Sequence, residues 1–211
     1  MLFRSGGGPF DTGNRIQNIF DKKADKGLSS LDHRHAFSYA FVYELPFGAN
    51  KPFLTGGSGL LQNLAGGWVV DGIYTLQSGL PMTVKFNGDV FSSGTDNARP
   101  DLVCNPNLPR SEQTANRFFK TECFQRQSPI RFGTAGRSTV TGPRINNVDL
   151  ALMKNTKIGE KVNAQFRTEF FNAFNHPQWN PPNRFIDQAA FGVISSTRDP
   201  RIIQFGLKLI F

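Results

Sequence analysis

The chain has 211 residues, of which 38% are hydrophobic and 12% aromatic, with 21 Phe, 21 Gly and 13 Pro. No unbroken apolar stretch reaches the roughly 18 residues that a transmembrane helix needs, which excludes a helical membrane protein but not a strand-built one, whose alternating strands keep mean hydropathy low. The formal charge of +8 is scattered, with no basic run of five, and this argues against nucleic acid as a partner.

Many turn-forming residues and few Ala-, Leu- and Glu-rich stretches predict an all-β protein. The opening "MLFRSGGGPFDTGN" has no apolar core followed by a cleavage site, so it does not read as a signal peptide. Residues 1–33 are taken as a loop or turn region, and 34–211 as the strand-bearing part. "RHAFSYAFVYEL" (34–45) places His35, Phe37, Tyr39, Phe41, Tyr43 and Leu45 on one side and small or polar residues on the other. That period of two predicts a strand. A soluble sandwich buries mostly aliphatic side chains, so a stripe this aromatic, with Tyr near its ends, suits a lipid-facing surface better.

The same alternation recurs downstream. Trp68, Val70, Gly72, Tyr74 and Leu76 share a side in 66–77, opposite Asp71, Thr75 and Gln77. In 80–86, Leu80, Met82, Val84 and Phe86 oppose Thr83 and Lys85. Val148, Leu150 and Leu152 oppose Asn147, Asp149 and Ala151 in 146–156. Val162, Ala164, Phe166 and Phe170 oppose Asn163, Gln165, Arg167 and Glu169 in 161–171, and the final run sets Ile203, Phe205, Leu207, Leu209 and Phe211 against Gln204, Gly206 and Lys208. About six strands of membrane-spanning length result. Short links near 77–79 and 157–161 alternate with long ones at 46–66, 87–145 and 172–200. That is the outer-membrane pattern of short periplasmic turns and long extracellular loops. On this scheme 34–45, 79–86 and 161–171 run outward, and 67–77, 146–156 and 201–211 run back.

"DHRHAFSYAFVYELPFG" (32–48), "GGWVVDGIYTLQSGLPMTV" (66–84), "FRTEFFNAFNHPQWNPPN" (166–183) and "FGVISSTRDPRIIQFGLKLIF" (191–211) together resemble the C-terminal end of TonB-dependent outer-membrane receptors, of the Oar-like kind abundant in acidobacteria. The resemblance covers nearly the whole chain. It implies a 22-stranded barrel around a plug, driven through TonB. This chain shows no TonB box or plug, and six strands cannot enclose one. The expectation is therefore an incomplete barrel: an antiparallel up-and-down transmembrane segment of about six strands with long extracellular loops, the C-terminal quarter or so of a receptor, not competent for transport alone. Its partners would be outer-membrane lipid, the rest of the barrel and plug, and the assembly machinery, with TonB reached only through the missing N-terminal region. The transported substrate is left open among carbohydrate, peptide or protein, and metal chelates.

Ile203, Phe205, Leu207, Leu209 and Phe211 resemble the signal that the outer-membrane assembly machinery reads on a last strand. An alternating, aromatic-ended edge can add to another sheet. Phe37, Tyr39, Phe41, Tyr43, Trp68, Tyr74, Phe166 and Phe170 form the lipid-facing aromatic stripe. Asp149, Arg167, Glu169 and Lys208 face the lumen, where Asp149, Arg167 and Glu169 are expected in a charge network between neighbouring strands. Cys104 and Cys123 lie in the long 87–145 loop. A disulfide there, if the loop is extracellular, closes about 20 residues and is worth ~3 kcal/mol. Two free thiols are the alternative, and zinc lacks a second pair or a nearby His. His33 and His35 share a strand face without a third ligand and are placed at a periplasmic turn. "GGSG" (56–59) lacks the context of a phosphate loop. No catalytic arrangement and no cofactor is expected. Two alternatives remain: a cell-surface β-rich protein binding glycan or lipopolysaccharide, and a soluble β-sandwich enzyme or nucleic-acid binder.

Overall fold

The computed structural model describes residues 16–18, 20–48, 51–54, 59–90, 98–159 and 162–211. The start of the 1–33 segment and most of the "GGSG" stretch lie outside the described residues. In chain order the elements are β1 (Ala36–Glu44), α1 (Gly59–Ala65), β2 (Trp68–Gln77), β3 (Pro81–Met82), β4 (Asp101–Leu102), β5 (Phe124–Gln125), β6 (Val140–Thr141), β7 (Ile145–Ile158), β8 (Val162–Phe171) and β9 (Ile202–Ile210). They divide between two compact units, one comprising 36–76, 146–178 and 199–211, the other 1–35, 77–145 and 179–198.

The first unit is a sheet. Among the described residues five strands join in the order β1-β2-β7-β8-β9, and β1 and β9 are its open edges. Register between β8 and β9 runs from Asn163↔Ile210 to Phe171↔Ile202, and between β7 and β8 from Leu150↔Phe170 to Ile158↔Val162. The β1–β2 pair is closed at one end by Leu45 N–H donating to the Trp68 carbonyl at 2.9 Å. Asn155 N–H donates to the Gly67 carbonyl at 2.8 Å and ties β2 to β7. Strands of 9 to 14 residues suit a hydrocarbon layer.

The sixth strand, expected over 80–86, is not in this sheet. Its only strand residues, Pro81 and Met82, pair with Thr141 and Val140 in the second unit. The alternation did mark buried positions: Met82, Val84 and Phe86 are at most 1% exposed, but Lys85 between them is also buried. A barrel strand keeps one face outside, and Pro81 has no N–H to give a central ladder. Removing this strand changes the parity of everything before it. β1 and β2 therefore run opposite to the expected directions relative to β7, β8 and β9. The 45–67 connection shares its rim with the short link between Ile158 and Val162, and the 78–144 and 172–201 connections leave from the other rim. His33 and His35 accordingly sit at the rim of the long connections rather than at a short turn. Ser78 N–H donates to the His35 carbonyl at 2.8 Å.

The second unit shows that the described residues of the 78–144 connection and residues 179–198 are folded together. Met82, Val84, Phe118, Phe119, Phe124, Ala135, Val140 and Ile194 form its core, with Trp179 and Phe191 packed against it. Phe119 meets Phe124 and Phe191 edge-on at ring separations of 5.9 and 5.3 Å, a favoured aromatic geometry. Arg99, 2% exposed, donates to Asp25 at 2.6 Å and to the Ala24 carbonyl at 3.1 Å, which fastens the segment before β1 into this core.

Candidate functional site

One face of the sheet carries the aromatic residues, and the contacts show that it is continuous. A Cβ added to Gly72 would fall 2.7 Å from the Phe41 ring and 2.8 Å from Leu150, so glycine lets β1, β2 and β7 close up on that side. Phe37 meets Tyr74 across β1 and β2 at 6.0 Å, and Phe166 stacks on Phe205 across β8 and β9 at 6.2 Å. Strand register puts Phe166 opposite Leu207, Phe170 opposite Ile203 and Ala164 opposite Leu209. Trp68 and Tyr74 share parity with Gly72; Tyr39 and Tyr43 share it with Phe41. These side chains stand largely outside the protein: Tyr39 and Tyr43 are each 55% exposed, Phe205 is 68% and Leu207 is 70% exposed. An apolar surface spread over five strands is far larger than a soluble monomer tolerates.

The opposite face carries most of the sheet's charged and amide side chains, with a few apolar ones such as Val42, Ile73 and Ile202 among them. Arg167 Nε and Glu169 Oε1 are 2.7 Å apart, both on β8. Their ladder neighbours are Met153 and Ala151 on β7, and Gly206 and Gln204 on β9. This pair therefore runs along one strand and is not the expected link between neighbouring strands. Lys208 faces Gln165. Asp149 holds backbone and side chain together at the end of β8. It accepts from Asn147 Nδ2 at 2.9 Å and from the backbone N–H of Asn172 at 2.8 Å.

The bond to Asn172 anchors a corner that strand alternation does not reveal. In "FNAFN" (171–175), Asn172 and Asn175 both adopt positive φ, 49° and 52°, which asparagine tolerates better than other non-glycine residues. The Asn172 side chain accepts from His176 N–H at 3.0 Å and donates to the His176 carbonyl at 3.1 Å. The Asn175 side chain accepts from Arg201 N–H at 3.0 Å. These bonds connect the end of β8 to the start of β9. A signal for the corner is present in the sequence: two asparagines three apart, directly after an alternating run.

Lys154 is a second residue that the sequence reading did not single out. Register places it opposite Phe166, on the aromatic face, where its Nζ lies 5.5 Å from the Trp68 ring. Continuing the alternation past Leu152 would have exposed it.

In the second unit the Cys104 and Cys123 sulfurs are bonded, with Cα atoms 4.9 Å apart. The link stands beside the β4–β5 pair, in which Leu102 faces Phe124. Arg131 clamps the same pair. It donates to both Asp101 oxygens at 2.7 Å, and Thr134 N–H adds a third bond at 3.0 Å. The Arg131 guanidinium holds the Asp101 carboxyl below its ordinary range. A depressed folded pKa means the contribution is intact above the ordinary aspartate range and is lost as pH falls through the lowered value. Thr134 amide protection, corrected for intrinsic exchange, should thus fall only in that acidic window. Asp101→Asn should remove the dependence, and an unchanged profile in that variant would contradict the assignment. Among the described residues no group of His, Cys, Asp and Glu is placed to hold a metal ion.

Residues 3–204 match the family model described as outer membrane beta barrel domain. No curated protein and no solved structure matches the chain.

Proposed function

Because the chain belongs to the outer membrane beta barrel domain family, we propose that it is the C-terminal part of a TonB-dependent receptor, supplying barrel wall for energy-coupled uptake across the outer membrane. The observation that carries the reading is the sheet itself: five strands with a continuous aromatic face, a polar opposite face and open edges at β1 and β9. Such a sheet completes its hydrogen bonding only by joining further strands. The resemblance at 166–183 and 191–211 supports the finer assignment to TonB-dependent receptors. On this reading the aromatic face meets lipid, and Arg167, Glu169 and Lys208 line the lumen. Ile203, Phe205, Leu207, Leu209 and Phe211 present the strand that the assembly machinery engages. Plug and TonB contacts belong to the remainder of the receptor, and the substrate is carbohydrate, peptide or protein, or a metal chelate.

The test compares cells with and without TonB that express the complete receptor. Each substrate class is supplied, and surface binding and internal accumulation are measured separately. Accumulation should vanish without TonB or on collapse of the proton gradient, while surface binding persists. Accumulation that ignores TonB would overturn the transport reading. Surface binding with no accumulation under any condition would favour a glycan- or lipopolysaccharide-binding role instead.

A further inference from the structure

The helix α1 is folded inside out. Its leucines, Leu60, Leu61 and Leu64, fall at i, i+1 and i+4 on one side and are 78%, 52% and 72% exposed. Gln62 and Ala65 are half-buried. A helix that packs on its own protein shows the reverse pattern. Its C-terminal carbonyls are engaged one after another. Gly66 N–H donates to the Gln62 carbonyl at 2.9 Å, and Trp68 Nε1–H to that of Leu64 at 2.9 Å. Lys154 Nζ donates to the carbonyls of Asn63 and Gly66. Satisfied carbonyls are what a helix end requires where water is scarce. The chain then leaves the helix through Gly67, at φ +74°, where a Cβ would lie 2.2 Å from the Asn155 carbonyl oxygen. The helix is thereby pressed onto the end of β7.

Both anchoring side chains, Trp68 and Lys154, stand on the aromatic face. α1 is therefore tethered from that face, at the rim where β7 links to β8. We infer that α1 is an in-plane membrane anchor whose leucines enter the boundary between phospholipid headgroups and acyl chains at this rim. Leucines on a short amphipathic helix, a Trp and a Lys with its charge drawn toward carbonyls are the residue types of a lipid interface. Lys154 gains a role from this. The alternation places its charge among apolar neighbours, and capping the helix gives that charge partners. The inference rests on the reading of the aromatic face as lipid-facing.

The test distinguishes the two. Leu61→Cys and Phe205→Cys are made separately in the full chain within its receptor, where Cys104 and Cys123 are already bonded, and each new thiol takes an environment-sensitive dye. The protein is folded into phosphatidylethanolamine–phosphatidylglycerol vesicles. The lipids are brominated either near the headgroup end of the acyl chains or near their tips. Emission from position 61 should be lost to the shallow quencher more than to the deep one, and emission from position 205 should be lost to either. Quenching at 205 but not at 61 overturns the anchor and leaves the lipid-facing sheet intact. Quenching at neither position overturns both. Deep quenching dominant at 61 overturns the in-plane placement.

Discussion

Phe205→Arg should prevent stable insertion of the sheet, whereas Gln204→Arg, one residue away, should be tolerated. Phe205 is near the middle of β9, opposite Thr168, on the aromatic face and stacked with Phe166. An arginine at the midplane of a lipid-facing barrel surface costs roughly 2–4 kcal/mol, a large share of a marginal folding free energy. The substitution also removes the ring stacking. Gln204 is opposite Glu169 on the polar face, where a guanidinium meets an opposite charge across the ladder. Folding of the complete receptor into phospholipid vesicles, followed by urea titration, should show a marked drop in midpoint for Phe205→Arg and little change for Gln204→Arg. Equal losses in the two variants would mean that both faces are protein-packed, as in a sandwich, and would remove the lipid-facing assignment.

The one-residue offset in that experiment reflects what the sequence made legible. Period-two alternation identified all five sheet strands and sorted their faces, because each strand sees two very different environments and the side chains record both. It failed over 80–86 for a physical reason. Met82, Val84 and Phe86 alternate as a barrel strand would, but Lys85 is buried too. Alternation reports which side chains point inward, not what they point into, and a small folded loop core offers the same pattern as a membrane. That one mistaken strand reversed the directions of β1 and β2. The loop core itself was beyond local reading, since Phe118, Phe124 and Phe191 come together from distant stretches. The charge network failed similarly: Arg167 and Glu169 both point to the polar face as expected, yet their cross-strand neighbours are uncharged, and register is not written in one strand alone. The helix α1 was hidden because its seven residues are too few for helical periodicity to stand out.

In a receptor ending as this chain does, deleting Phe211 should impair assembly while leaving synthesis unchanged. The side chain is 90% exposed and continues the outward parity of Ile203, Phe205, Leu207 and Leu209. β9 is an edge of the sheet, bonded to β8 and open on its other side among the described strands. Closing a barrel requires that open side to take a further strand in a single register, and a one-residue slip would turn Ile203, Phe205, Leu207 and Leu209 to the face that now carries Gln204 and Lys208. A bulky apolar ring at the end of the strand resists that slip, because the slip would set it among polar side chains and forfeit the burial of its apolar surface. Phe211→Trp should accordingly retain assembly, and Phe211→Ser should behave like the deletion. The measurement is the fraction of receptor resistant to urea extraction from outer membranes, normalised to total protein made. Normal insertion of the deletion variant would sink the assignment of β9 as an assembly signal. It would leave the sheet and its two faces untouched, because those rest on contacts among β1, β2, β7 and β8 that Phe211 does not make.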